Sequence, residues 1–436
     1  MSPIFRRALF YLLFLAFLLL GAAATLYAMG YRLDRENMSL TTVGGLYVRS
    51  YPPDTTIRLN GKEIKNKSGL FSDGTFVSGL FPQSYRLTLV APLYRAWQRD
   101  ITVAPSLVTE IKRALLIPEI IPEAYPGGAE EFWPVGEKLA VLDAEKGLVL
   151  ASSTLPGEKI IGTSRDGRII FSKDDMDYYW FDAKTATGTA MAPVFARTGF
   201  AKPKSASLDR ESGQVIIRTA DGVATLEVPT RMAQTIFTFG KSGIPENIIS
   251  SRSWLAWYVF DAKEDLSRIF LYDKIAQKDP LEIAEFAGRI SQMAWSPDER
   301  LGILDEGGEF YVYSAGDDFP TRIASDGKFF RFSADGSRVA IFENKSLEIF
   351  TFREEDEYWR FNIPDSAKIK EAWWHADDWH LIFAYPGRTV LLDLEDKALQ
   401  GLETLVDTDA SIFQSETGFL YYLRDGKVYR MDLSGE

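Results

Sequence analysis

The sequence holds two histidines, His375 and His380, with Asp377 and Asp378 between them. Imidazoles and carboxylates this close together are the ingredients of a divalent-metal site. Three Ser-x-Asp pairs, Ser164/Asp166, Ser296/Asp298 and Ser333/Asp335, offer a hydroxyl beside a carboxylate, the groups a nucleophilic enzyme would use. Trp373, Trp374 and Trp379 crowd around the first histidine, and an indole at the surface there would stack on a sugar or a peptide. Other fragments fall short of their patterns. Gly240-Lys241-Ser242 lacks the upstream glycine of a phosphate loop. Asp174-Asp175-Met176-Asp177 does not match a calcium loop and, like Glu354-Glu355-Asp356-Glu357, reads as a solvated hairpin. No Gly-x-Ser-x-Gly elbow occurs.

What these residues do depends on the elements that carry them. Leu139, Ile169, Val215, Leu255, Leu301, Val339, Leu381 and Leu420 each open an apolar run after a polar turn, with spacings of 30, 46, 40, 46, 38, 42 and 39 residues. A period near 40 built only from strand-like segments predicts an all-β propeller of seven or eight blades. In the unit that starts at Ile290, ISQMAW is a first strand, Ser296–Arg300 a turn, and LGILDE, EFYVYSA and PTRIAS three further strands. Trp295, Phe332, Trp374 and Phe413 end first strands with a ring that can pack between blades.

Within that pattern the Ser and Asp side chains fix the turn by accepting backbone hydrogen bonds, and Gly167 and Gly336 supply positive φ. Ser164, Asp166, Ser296, Asp298, Ser333 and Asp335 are therefore expected to be structural. His375 occupies the serine slot and His380 begins the next strand, so no metal site is expected either. Ser205–Val228 and Asn247–Tyr272 match the repeat weakly. The last unit stops after a third strand, KVYRMDL, so ring closure needs a strand from elsewhere, with Glu119–Tyr125 the nearest candidate.

The aromatic-Ser-Pro-Asp-Gly phrase followed by a strand, seen best in Ile290–Ser325 and Phe329–Phe352, resembles the WD-repeat-like propellers of the Tol-system periplasmic protein. It also resembles the non-catalytic propeller of the dipeptidyl-peptidase family. The hydrolase domain of the latter is not expected, because the chain ends with the last repeat.

Ahead of the repeats, Ala8–Tyr31 is a run of 24 residues without charge, flanked by Arg6 and Arg7 and by Arg32 and Arg35. As a helix it spans about 36 Å, enough for a bilayer core. The short head is easier to keep in the cytoplasm than to export, so the amino terminus is expected inside and the bulk outside. A cleaved signal peptide is the rival, with Ala8–Leu20 as its apolar region and Ala22–Ala24 as cleavage site. The apolar run continues through TLYAMGY, which suits an anchor better. Either way the remainder leaves the cytoplasm.

Residues 44–117 alternate like short strands, with Pro52-Pro53-Asp54 and Asn60-Gly61 as turns. A small all-β sandwich is expected. Val48, Ser50, Pro52, Pro53, Ile57, Asn60-Gly61, Gly79-Leu80, Pro82, Tyr85, Leu87, Leu89, Tyr94 and Trp97 resemble a PEGA domain. Two features depart from that family: Pro53-Asp54-Thr55-Thr56 stands at the naming tetrad, and Gln83-Ser84 replaces the glycine before Tyr85. The resemblance implies a surface-associated envelope module and brings no catalytic residues.

Charge divides the chain the same way. Residues 1–118 carry 14 Lys+Arg against 7 Asp+Glu, a net +7, and residues 119–436 carry 35 against 54, a net −19. An acidic rear part repels phosphate backbones, so nucleic acid is not an expected partner. There are no cysteines, which rules out disulfides and thiolate sites.

The organisation expected is a cytoplasmic head and anchor (1–36), a PEGA-like sandwich (44–117), a linker (118–128) and a propeller (129–436). The expected function is a non-enzymatic binding platform at the cell envelope of a bacterium, with no catalytic residues, metal or cofactor. Its partner is an envelope protein or, as the alternative, a cell-wall glycan gripped by Trp373, Trp374 or Trp379. A propeller hydrolase working through channel carboxylates is the remaining rival.

Overall fold

In a computed structural model of the chain, the residues described are 3–34, 39–65, 74–150, 153–173, 177–200, 203–209, 212–219, 221–238, 244–352, 358–363, 365–395 and 402–435. Gly240-Lys241-Ser242, Asp174-Asp175-Met176, Glu354–Glu357 and Arg35 lie outside them. The chain divides into two compact units, residues 1–120 with 435–436, and residues 121–434.

The first unit opens with the helix Pro3–Ala28. Among the described residues it is the one helix long and apolar enough to cross a membrane, and its apolar surface is fully exposed. It begins before the uncharged run and stops short of Tyr31, because Gly30 turns the chain with φ 88° into a strand, Tyr31–Asp34. Arg32 closes the helix end: its guanidinium donates to the carbonyls of Tyr27 (3.0 Å) and Tyr31 (2.9 Å) and lies 3.5 Å from the centre of the Tyr27 ring. A cation at a helix C-terminus complements the carbonyls left unpaired there.

Two sheets follow. One joins Thr75–Leu80, Gly44–Tyr51 and Val108–Leu115; the other joins Lys62–Ile64, Thr56–Leu59, Ser84–Val90 and Trp97–Thr102. Every second side chain points inward, so Leu46 and Val48 meet Ile57, Leu59, Leu87, Leu89, Ile101 and Ile111 in one apolar core. The predicted Asn60-Gly61 hairpin is present, with φ of 48° and 78°. Ser50 Oγ donates to the Pro52 carbonyl (3.0 Å) and meets Thr55 Oγ1 (2.9 Å), which is why a serine precedes the proline turn.

The second unit holds, among the described residues, eight four-stranded antiparallel sheets in succession. They occupy residues 129–155, 159–190, 205–238, 246–287, 290–324, 329–362, 371–406 and, for the last, 411–432 together with 123–125. All eight apolar markers of the sequence lie on the second strand of a sheet, and the four strands read in the Ile290 unit are found at Ile290–Trp295, Leu301–Asp305, Phe310–Tyr313 and Thr321–Ala324. First strands lie beside first strands of neighbouring sheets, so they are innermost.

Core side chains sit between successive sheets rather than within one. Phe342, Leu347 and Phe361 of one sheet pack with Trp374, Phe383 and Leu392 of the next. The ring closes where Phe132 and Val141 of the first sheet pack on Tyr421 and Val428 of the last. This is a β-propeller. Its last sheet takes its outer strand, Glu123–Tyr125, from the stretch 118–128 read as a linker, and that strand pairs with Lys427–Asp432. Gly302 shows how tight the packing is: a Cβ there would lie 2.6 Å from the Phe330 ring of the next sheet.

The uneven period has local causes. The 30-residue step reflects a first sheet whose outer strands, Gly147–Leu150 and Ser153–Leu155, are short. One 46-residue step holds the extra helix Met191–Arg197, and the other spans the long strands Trp254–Asp261 and Leu266–Asp273.

Candidate functional site

The turn between the first and second strand repeats one hydrogen-bond plan. Ser296 N donates to the Arg300 carbonyl (2.8 Å), Ser333 N to Arg338 (2.9 Å), Ser164 N to Arg168 (2.9 Å) and His375 N to His380 (2.9 Å). Each side chain at that slot also meets the carboxylate two residues on: Ser164 meets Asp166, Ser296 Oγ donates to Asp298 at 2.5 Å and Ser333 Oγ to Asp335 at 2.8 Å. The next position is left-handed whether or not it is glycine: Gly167 (φ 87°), Glu299 (67°), Gly336 (76°) and Asp378 (56°). The six Ser and Asp residues thus spend their polar groups on the turns. Asp209 fills the serine slot of the weakest repeat, buried and bonded to Ser212, Ser250 and Lys274 Nζ (3.2 Å). Sequence reading missed this pair because its lysine lies 65 residues away.

His375, Asp377 and His380 are brought together, with their donor atoms all within 4.8 Å of one another. The distances are those of hydrogen bonds. His380 Nδ1 is 2.6 Å and His375 Nδ1 3.1 Å from Asp377, which also accepts from the backbone N–H of Trp379 and His380. His375 Nε2 donates to the Leu433 carbonyl at 2.7 Å, tying the turn to the end of the chain's last strand. Burial alone would raise the Asp377 carboxyl, but the His380 charge and both imidazole hydrogen bonds outweigh it and hold it far below the usual range. Burial works against the charge on His380, yet the Asp377 and Asp393 carboxylates raise it. Donors already committed to each other and to backbone make a buried polar network.

The three tryptophans part company. Trp374 is 2% exposed in the core between two sheets, with Nε1 donating to the Arg331 carbonyl at 2.9 Å, so it has no face for a ligand. Trp379 is covered by the Trp359 ring (5.6 Å between centres) and by the Arg338 guanidinium at 4.2 Å. Trp373 alone of the three lines an open cleft.

That cleft, about 760 Å³, is lined by residues of the first, second, seventh and last sheets. Trp133 and Trp373 supply indole surface, and Glu137, Lys138, Arg165, Asp166, Lys184 and Glu416 supply three charges of each sign. Its floor is rigid: Gln414 Nε2 donates to the Gly136 carbonyl (2.9 Å) and Ser415 Oγ to that of Trp374 (2.6 Å). Arg165 stands 3.5 Å from Glu416, and Asp166 takes the Ser164 hydroxyl and lies 3.2 Å from Arg168. Such a lining can stack on a ring and offer donors and acceptors. Trp133, Arg165 and Glu416 went unread in the sequence. For Trp133 and Glu416 the signal was a departure from the repeat, since the turns Val135-Gly136-Glu137-Lys138 and Gln414-Ser415-Glu416-Thr417 lack the Ser-x-Asp phrase, whereas Arg165 sits inside that phrase and gave none.

No protein-family model matches the sequence, and no curated protein matches it. Solved structures similar in fold are the Dos1 propeller (11% identity over 73% of this chain and 96% of that one, TM-score 0.49) and an oligogalacturonate lyase in complex with manganese (10%, 71% and 98%, 0.47). Virginiamycin B lyase from Staphylococcus aureus is a third (12% identity, 63% and 94%, TM-score 0.42). At these values neither a ligand nor an activity carries over from them to this chain.

Proposed function

We propose that this is a single-pass membrane protein, with its amino terminus in the cytoplasm, that carries a PEGA-like β-sandwich and an eight-bladed propeller outside it. The propeller is a non-enzymatic platform that binds an envelope protein through the cleft at its inner mouth. The observation that carries this reading is the cleft itself: a rigid floor, two indoles and balanced charge, with its Asp166 and Glu416 carboxylates engaged by neighbouring side chains. A binding surface needs shape and mixed polarity, and the cleft offers both. The apolar helix Phe5–Ala28 supports the anchor.

Two indoles in one polar cleft also favour a second reading, a glycan ligand stacked between them. Capture from envelope extract separates the two. The baits are residues 37–436, 44–118 and 119–436, each at low and high salt. A discrete protein retained by 119–436 supports the platform. Retention of polysaccharide alone overturns it in favour of the glycan, and retention of nothing by 119–436 overturns both.

A further inference from the structure

The end of the first unit next to the helix is unusually apolar. Backbone hydrogen bonds run from the helix exit into the sheets: Val43 N donates to Gly30 O (3.0 Å), Ser106 N to Val43 O (3.2 Å) and Gly45 N to Leu107 O (2.9 Å). Around this path Leu33 (57% exposed), Leu40 (52%), Leu107 (62%) and Val108 (47%) present their side chains to solvent. Val108 pairs with Gly45, and the Phe76 ring, itself half exposed, closes over that glycine, where a Cβ would lie 3.0 Å from the ring. The strands Gly44–Tyr51 and Val108–Leu115 run parallel, so Gly44 and Val108 share this end while Tyr51 and Leu115 share the other.

Resting on the anchor reading above, we infer that this end of the first unit is a second membrane contact, with Leu33, Leu40, Leu107 and Val108 seated in the lipid interface. The occupant is the bilayer surface beside the helix, for two reasons. The patch is joined by unbroken backbone hydrogen bonding to a span whose own exposed surface demands lipid. Residues 32–118, on the same side of the span as the patch, carry 12 Lys+Arg against 7 Asp+Glu, a net +5 complementary to anionic headgroups. Arg32, folded back over Tyr27, sits at the junction, where an aromatic ring and a cation both suit the headgroup layer. Such a contact would hold the first unit at a fixed attitude to the membrane rather than on a free tether.

The chain has no cysteine, so single labels are unambiguous. The full-length variants Leu107→Cys, Leu40→Cys, Leu93→Cys and Leu15→Cys are labelled with an environment-sensitive fluorophore. Each is reconstituted in phosphatidylcholine vesicles, with and without one-fifth phosphatidylglycerol, containing lipid-borne quencher. Leu93 is as exposed as Leu107 but lies at the opposite end, where its carbonyl accepts from Glu119 N. The expected result is blue-shifted emission and at least twofold quenching at 107 and 40, stronger with the anionic lipid, and water-like emission at 93. Quenching at 15 with none at 107 and 40, or equal quenching at 93 and 107, overturns the contact and leaves the anchor standing. Absence of quenching at 15 overturns the anchor, and the contact with it.

Discussion

His375 Nδ1 stands 3.1 Å from Asp377, in the place where Ser333 Oγ stands 2.8 Å from Asp335 one sheet earlier. An imidazole has been fitted into a serine's slot, and its far nitrogen gains a bond to Leu433 that a serine is too short to make. The most enzyme-like cluster in the sequence is thus hydrogen-bonded into the same turn plan as the serines of the other sheets.

That cluster sets a pH dependence. His380 is raised in the folded protein, so its contribution is complete below its unfolded pKa of about 6.5 and is lost as pH rises through the folded value. Asp377 is depressed, so its contribution is present above about 3.9 and is lost as pH falls through its folded value. The stabilisation from both groups is complete from roughly pH 4 to 6.5. Thermal unfolding across pH 4–9 should show highest stability in that window, and His380→Asn should flatten the alkaline decline. An unchanged slope in the variant would refute the assignment.

Asp378 is pushed up to about 6, first by burial and then by the nearby Asp335 carboxylate, and it sits at a left-handed φ of 56°. A raised carboxyl destabilises the folded state as it ionises between about pH 4 and 6. Asp378→Asn removes the charge, keeps an oxygen for the Ala334 N–H (2.8 Å) and tolerates the backbone. It should stabilise by ~1 kcal/mol at pH 7, discounted for partial exposure, and by nothing at pH 4. Urea titrations at the two pH values decide this.

Adjacent tryptophans should behave oppositely. Trp374→Ala empties a site between two sheets and should cost about 3–5 kcal/mol. Trp373→Ala, on the cleft, should change stability by less than about 1 kcal/mol and abolish partner capture. Equal losses of stability would mean that Trp373 is core as well.

Closure by Glu123–Tyr125 can be broken at one residue. Tyr125→Pro removes a ladder N–H and the phenol that donates to Asp143 at 2.6 Å. The full chain should lose roughly 2–4 kcal/mol in urea unfolding of the second unit. A Tyr125→Phe control, which keeps the ladder, should lose less.

The sheets were legible because each second strand carries an apolar residue at its first or second position after a turn, a signal that survived even where Asp209 replaced serine. Unequal strand lengths and the inserted Met191–Arg197 helix blurred the period without hiding it. The cleft was not legible. It is assembled from Trp133, Arg165, Trp373 and Glu416, which are far apart in sequence and meet only because the ring closes. Of three clustered tryptophans, spacing could not say which one faced out: Trp373 and Trp374 alternate across one strand, and Trp379 is covered by Arg338 from the preceding sheet.

The most direct test of the platform places a photoreactive benzophenone side chain at position 373 in the full-length protein and irradiates intact envelopes. A second site, Ile275, exposed elsewhere on the propeller unit, serves as the control. The expected result is one discrete cross-linked protein from position 373 and none from 275. A polysaccharide smear from 373, or the same pattern from both positions, would contradict a protein partner in the cleft.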